Sequence, residues 1–537
     1  QYNSESTNGG LIVPNQFFIK NSKQQASFNA YKFNTKRIVS TIFMIGTSWK
    51  NQLFLDITGR NDWSSALVYS YGTGNFSYFY PSVSGSWIIT ETFKDKLPKW
   101  VSFAKVRGSW AQVGNDTSPY YINSGYSVAT YQRGDKKIYG MTIPENMKST
   151  NLKPERKNAW EVGLDWRFLD SRIGVDLTYY KENTRNQIMT INVPWESGVK
   201  EKLINAGNIQ NSGIEIALNT TPIKKKQWQW DLNFTYTRNR NKIVELSPDV
   251  TSYINLDGAA NYGNYRIASV AKVGSDYGML MSDSWIKTDE KTGKPVVGYT
   301  NKFRTVYYKR GGTVKEVGSM LPNFLGSLNS TLRWKDLSLY VLFDARFGGY
   351  VASYNSRYAT AYGFSGETEK YRKGMTWTSK YANAQDKVFT DGFIPDVVFD
   401  AGTIVTTPGG TNQDVSGMTY QEAYEKGYVE PAHLQSAAYF KNSWGTGVIN
   451  DDWFKKINYI ALREITLSYN VPTKICSYIG AKNLSLSFTG RNLAYLLNTA
   501  PNHENPESVR GTGAAQFRMR SFMPYTASYL FTLNATF

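Results

Sequence analysis

From Trp160 the chain alternates strictly: Trp160, Val162, Leu164, Trp166 and Phe168 are apolar, while Glu161, Gly163, Asp165 and Arg167 between them are polar or small. After Leu169-Asp170-Ser171-Arg172 the period resumes, with Ile173, Val175, Leu177 and Tyr179 set against Gly174, Asp176 and Thr178. A period of two sends successive side chains to opposite faces, so the segment predicts an antiparallel hairpin with one apolar and one polar face. The device recurs. Ile214, Ile216 and Leu218 lead through Lys224, Lys225 and Lys226 to Trp228, Trp230, Leu232, Phe234 and Tyr236. Leu337, Leu339, Val341 and Phe343 follow Trp334-Lys335-Asp336, and Leu53, Leu55 and Ile57 follow Trp49-Lys50-Asn51. The pattern predicts about fourteen strands of about ten residues each.

Tight turns near 49–51, 169–172 and 334–336 alternate with long stretches at 113–156, 243–320, 348–455 and 493–525, which are expected to be irregular. Short turns at one end and long loops at the other suit an outer-membrane barrel, whose long loops face outward. The largest, 348–455, is expected to be extracellular and reachable by a label at Ser365. Trp49, Trp160, Trp228, Trp334, Tyr179 and Tyr236 crowd the strand ends, as aromatic girdles at two interfaces require. The alternative is a soluble sandwich, in which strands run to about five or six residues. At the C-terminus Tyr529, Phe531, Leu533, Ala535 and Phe537 share one face. Ser528, Thr532, Asn534 and Thr536 share the other, with Leu530 the exception. This reads as the closing strand through which a barrel is assembled, offering an unpaired edge and an apolar stripe. The fold class is therefore all-β, a large antiparallel transmembrane β-barrel.

Composition narrows the chemistry. The longest apolar runs are of the length of Leu339–Phe343, far short of the roughly 20 residues of a spanning helix. One cysteine, Cys476, excludes a disulfide framework, and two distant histidines, His433 and His503, leave little for catalysis or metal binding. Gly72-Thr73-Gly74 and Gly511-Thr512-Gly513 read as loop turns rather than phosphate cradles, and Asp451-Asp452 as a solvated loop. Glu161, Asp165, Asp176, Glu215 and Asp231 face inward and are expected to solvate a polar lumen. The net charge of +18 is dispersed, so no nucleic-acid partner is assigned. Tyr354, Tyr358, Tyr362, Trp377 and Tyr381, with Asn355, Arg357 and Asn383 among them, could contact a ligand but are read first as packing of the large loop. No catalytic, cofactor, metal or substrate-binding residue is assigned.

Several segments resemble SusC/RagA-like TonB-dependent transporters. They are Thr58-Gly59-Arg60-Asn61-Asp62-Trp63-Ser64-Ser65, Tyr80-Pro81-Ser82-Val83-Ser84-Gly85-Ser86-Trp87, Asn151-Leu152-Lys153-Pro154-Glu155 and Trp160-Glu161-Val162-Gly163-Leu164. Asn205-Ala206-Gly207-Asn208-Ile209, Asn211-Ser212-Gly213-Ile214-Glu215, Leu321-Pro322-Asn323-Phe324 and Gly490-Arg491-Asn492-Leu493 follow in family order. The resemblance implies TonB-dependent import of a glycan or peptide across the outer membrane, with no enzymatic activity. It implies as partners a SusD-like surface lipoprotein, the TonB system acting through a plug, outer-membrane lipid and a dimer of transporter–lipoprotein pairs. Residues 1–537 correspond to the C-terminal part of such a barrel, roughly two-thirds of its strands, paired with an N-terminal remainder that carries the plug. The family usually has Gly where Trp63 stands, so the chain is expected to turn differently at Asp62–Ser64. Rival readings are a siderophore or cobalamin receptor, a soluble carbohydrate-binding β-protein, and an outer-membrane enzyme. The last needs a Ser/His pair on a strand facing the membrane.

Overall fold

The computed structural model describes residues 4–16, 21–29, 35–94, 96–142, 144–193, 195–247, 250, 253–257, 261–262, 265–282, 285–371, 374–434, 439, 454–508, 517–519 and 524–537. Its wall is one sheet of thirteen antiparallel strands joined in sequence order. These are β1 Ile38–Trp49, β2 Leu53–Ser64, β3 Ser77–Ile88, β4 Val101–Asn115, β5 Glu155–Phe168, β6 Ile173–Asn192 and β7 Glu201–Lys224. They continue as β8 Trp228–Glu245, β9 Phe324–Trp334, β10 Leu337–Ser353, β11 Phe454–Asn470, β12 Asn483–Asn498 and β13 Ser528–Thr536. Two short strands, Asn146–Lys148 and Arg518–Met519, add in parallel to β7 and β10. β1 and β13 stand at the two edges.

Ladder registers fix the faces. Val162 pairs with Tyr179, Leu164 with Leu177 and Trp166 with Val175, so the apolar positions of β5 and β6 fall on one side. The same side carries Ile45, Ile57 and Val83 on β1 to β3, and Phe234, Leu328 and Phe343 on β8 to β10. Most of these side chains lie open on the outer surface, Trp160 at 62% and Phe531 at 85%. A sandwich would bury such a face against a second sheet; here it is the external surface, and lipid is the solvent that suits it. Among the described residues no helix is long and apolar enough to cross a membrane.

The strands run from 9 to 24 residues, longer than the expected ten. From Trp228 to Tyr236 is eight steps, about 26 Å along the strand, which matches a lipid belt. The remainder of a long strand such as β7 therefore rises beyond the belt. Tight turns join β1–β2, β5–β6, β7–β8 and β9–β10, with left-handed φ at Lys50, Asn51, Leu169, Asp170, Ser171 and Lys335. At the same end β3–β4 and β11–β12 are joined by longer segments carrying short helices, Ile89–Thr92 and Thr473–Tyr478. The expected irregularity at Asp62–Ser64 is absent: β2 runs unbroken, and Trp63 pairs with Val39 and Ser77.

Among the described residues three of the long stretches carry regular structure of their own. Segment 113–156 contains a hairpin, Ser127–Arg133 with Lys136–Thr142. Segments 243–320 and 348–455 pack together into one lobe above the sheet. Its core joins Val297 and Val306 from the first loop to Phe399, Val405, Tyr420 and Val429 from the second. Strand Val296–Thr300 pairs antiparallel with Thr305–Tyr308 and parallel with Val398–Phe399, so backbone bonds also cross between the loops. A capping box, Thr419 with Glu422, starts the helix Tyr420–Glu425.

Candidate functional site

The inner face of the sheet is polar and crossed by ion pairs. Arg107 on β4 reaches Asp176 on β6 at 2.9 Å and Glu161 on β5 at 3.7 Å, and donates to Thr178. Lys157 pairs with Glu182, Arg167 with Asp165, Arg333 with Asp231, and Arg491 with Glu464. Glu215 stands between Thr178 and Thr237 in the ladders. All five carboxylates expected to face a lumen do so. Cross-strand pairs of opposite charge stabilise a sheet modestly and leave the surface hydrated, which suits a wall lining an aqueous path.

At the end away from the tight turns, the motif residues tie loops to strands. Asn205 receives the Lys153 amide at 2.7 Å and donates to the Lys153 carbonyl at 2.8 Å, clamping the Asn151–Glu155 segment to β7. Glu155 accepts from the Ile188 amide at 2.9 Å and from Asn115 at 3.0 Å. Gly207 has φ +77, and a Cβ there would lie 2.4 Å from the Glu245 carbonyl oxygen, so the close approach of β7 to β8 needs glycine. Asp62 accepts from Arg60 at 2.6 Å and from the Tyr80 hydroxyl, joining two further motifs.

Arg463 forms a distinct node. The register steps from Leu342–Glu464 to Phe343–Leu462, leaving Arg463 as a bulge residue on β11. On the far side two residues of β12, including Asn492 with φ +50, oppose it. A bulge re-aims a side chain. Here the guanidinium grips Asp344 through Nε at 3.0 Å and Nη2 at 2.7 Å, and Glu507 through Nη1 at 2.8 Å and Nη2 at 2.7 Å. The Tyr459 and Tyr495 hydroxyls also donate to Glu507, at 3.2 and 2.9 Å. Burial pushes the Glu507 carboxyl up, but these donors, Arg463 first, hold it below the usual glutamate range. The segment after β12 is thus strapped to the inner wall. Sequence reasoning missed this node because its partners are 44 and 119 positions apart.

The loop aromatics divide. Tyr354, Tyr381 and Arg357 are buried, and Trp377 stacks on Phe389 and meets the His433 ring at a tilt of 52°. Tyr358 and Tyr362 are exposed. His433 lies on a short strand, Ala432–His433, which the sequence reading did not foresee; its Nδ1 is 3.0 Å from Asp391. Gly72-Thr73-Gly74 is a loop turn, whereas Asp451-Asp452 and Gly511-Thr512-Gly513 lie outside the described residues. Ser365 is only 2% exposed, so it is not the labelling position the sequence suggested; its neighbour Phe364 is 83% exposed. Among the described residues no group of three or more His, Cys, Asp or Glu is placed to hold a metal ion.

On β13 Phe531 pairs with Phe488, Leu533 with Leu486 and Ala535 with Leu484, and Tyr529 lies opposite Gly490. The family model described as TonB dependent receptor-like, beta-barrel, matches residues 10–300. The chain belongs to the TonB-dependent receptor family. TonB-dependent receptor P26 of Formosa agariphila is 23% identical over 486 residues, covering 88% of this chain and 43% of that protein. SusC of Bacteroides thetaiotaomicron is 28% identical over 270 residues, 48% of this chain and 26% of that receptor. A solved structure of the RagAB peptide transporter superposes with a TM-score of 0.66 at 15% identity, covering 98% of this chain and 50% of that one. The motif resemblance to SusC/RagA-like TonB-dependent receptors is borne out, and the chain spans less than half the length of the curated relatives it matches. TonB-dependent receptors are outer-membrane barrels built for transport, and this sheet is a partial barrel wall of that kind.

Proposed function

We propose that this chain forms the wall and extracellular loops of an outer-membrane importer for an oligomeric nutrient, a glycan or a peptide. Residues 1–537 act as the C-terminal part of the barrel. An N-terminal remainder supplies the other strands and a plug on which the TonB system pulls. A SusD-like surface lipoprotein covers the two-loop lobe, in a dimer of such pairs. The single observation that carries the reading is the two-sidedness of the sheet: an ion-paired inner face and an apolar outer face in one set of strands. A lipid-facing exterior needs a membrane, and a hydrated interior as wide as this wall implies calls for a cargo larger than an ion. The strapped segment at Glu507 and the lobe stand where incoming substrate first meets the protein.

Uptake by a deletion strain, tested with purified oligosaccharides and oligopeptides, checks this reading. Loss of uptake for one class, restored by the gene and abolished without TonB, is the expected result. Unchanged uptake of every oligomer, with a defect confined to an iron chelate or a cobalamin, would overturn it.

A further inference from the structure

Six cations stand on the outward side of β5 to β8, just beyond the apolar belt. The registers place them. Val162, Tyr179, Ile214 and Arg238 form one row across the four strands, and Trp160, Lys181, Ser212 and Arg240 form the next. Lys242 lies one row further on, in register with Gln210, and Arg156 faces Arg185 directly in the last. Five of the six are exposed and Arg238 is half-buried.

Among the described residues none of these cations is in an ion pair, although Glu245, opposite Asn208, stands in the Arg156–Arg185 row. The outward positions 156–166, 173–185, 208–220 and 228–242 carry no Asp or Glu. Four acids of the same strands, Glu161, Asp176, Glu182 and Asp231, point inward and are held by Arg107, Lys157 and Arg333. Like charges placed directly opposite across a ladder, as Arg156 and Arg185 are, destabilise a sheet unless an anion lies between them. The amides between the cations already bond one another: Asn183 donates to Asn208 at 2.9 Å, and Gln210 to Asn183 at 3.4 Å. Arg238 and Arg240 open onto a cleft of about 320 Å³, whose other lining residues are Tyr179, Ser212, Gly213 and Ile214. Along the Arg238 row the surface is already hydrocarbon-like, with Val162 and Tyr179 exposed. Asp276, from the loop above, lines a neighbouring cleft that the two arginines share.

We infer that this patch binds the phosphorylated headgroup of a lipid in the outer leaflet, with phosphate on Arg238, Arg240 and Lys181 and acyl chains along Tyr179, Ile214 and Val162. The inference rests on the outer-membrane placement proposed above, with the long loops outside. Guanidinium forks match phosphate oxygens bidentately, and a cation row directly above an apolar belt lies at headgroup depth. The charge is local, because at the same end the outward residues of β2 and β3 are Asn61, Trp63 and Phe79.

The test compares wild type with Arg238→Gln/Arg240→Gln and with Lys225→Gln/Lys226→Gln at the opposite, turn end, each purified from outer membranes. Lipid retention is read by native mass spectrometry, and affinity in nanodiscs containing diphosphoryl lipid A, its dephosphorylated form, or neither. Wild type and the turn-end variant should retain the phosphorylated lipid. The double arginine variant should lose about fivefold in affinity per cation removed, and the dephosphorylated lipid should show no difference between proteins. Equal retention by all three proteins, each heat-modifiable and recovered from the outer membrane, would overturn the lipid site and leave the barrel reading intact. Absence of wild type from the outer membrane would instead sink the placement itself. Full displacement by millimolar inorganic phosphate would show a free-anion site, and loss of a co-purifying protein with lipid unchanged would show a protein-docking patch. Either result refutes the inference.

Discussion

Replacing Arg463 with Met should release the segment after β12 without unfolding the wall. The guanidinium makes four charge-assisted bonds, two to Asp344 and two to Glu507. Its side chain is 18% exposed against 34% and 41% for the two acids. A fully buried pair broken from one side costs about 3–5 kcal/mol, and an exposed pair about 0–1. With acids this open to water, about 2 kcal/mol is the reasonable middle, which makes opening of the strap about thirtyfold more frequent. Hydrogen exchange of the amides in 499–508 should rise by that factor, while the β10–β11 ladder stays protected. Arg463→Lys keeps the charge but loses the fork, and should fall between the two. The pH dependence has a definite sign. Glu507 is held below its ordinary value of about 4.3, so its contribution is complete above that pH and fades as pH falls through the lowered value. Wild-type exchange in this segment should therefore climb below about pH 4, whereas Arg463→Met should show no such climb. Unchanged exchange at neutral pH in Arg463→Met would mean that other contacts, such as Ser353 to Glu504 at 3.0 Å, hold the segment, and the strap account would fall.

Deleting Phe537, a 72% exposed lipid-facing ring, removes about 2 kcal/mol of apolar contact and the aromatic end of the closing strand. Outer-membrane abundance should drop, with normal heat-modifiable migration of what arrives; equal abundance would refute an assembly role. A cysteine in place of Phe364 should react with an impermeant maleimide in intact cells, and labelling only after the outer membrane is broken would reverse the topology. Glu430→Ala strips acceptors from Trp377 Nε1, Ser379 Oγ and the Lys380 amide, costing the lobe about 3 kcal/mol. Limited proteolysis should then cut within 374–434 while the wall resists, and an unchanged digest would contradict the lobe's description.

The wall was legible because its rule is local. Alternation at Trp160–Phe168 or Trp228–Tyr236 reports a strand with two unlike faces, whatever lies far away. The lobe was not legible, because its strands are two to eight residues long and its core is shared between loops about 100 positions apart, as Val297 and Phe399 are. Loop aromatics gave mixed signals for the same reason: nothing near Tyr354 or Tyr358 in sequence tells which is buried. Arg463 was hidden differently, since a bulge breaks the period of two where the side chain matters. The motif Gly490-Arg491-Asn492-Leu493 carried a trace of it, in an asparagine that takes the left-handed conformation.

The central claim is that one face of this sheet meets lipid and the other water. Leu232 and Asn233 test it at a single depth, four and five residues above Trp228 on β8, with Leu232 outward between Thr220 and Ser330. Arginine on the lipid side near mid-membrane costs roughly 2–4 kcal/mol. Asn233→Arg, on the lumenal side, gives up the 2.6 Å bond to Asn329, about 1 kcal/mol. The measurement is the outer-membrane abundance of the heat-modifiable form of each variant. Leu232→Arg should be strongly depleted and Asn233→Arg close to wild type; equal assembly of the two, or the reverse order, would contradict the assignment of faces and the barrel built on it.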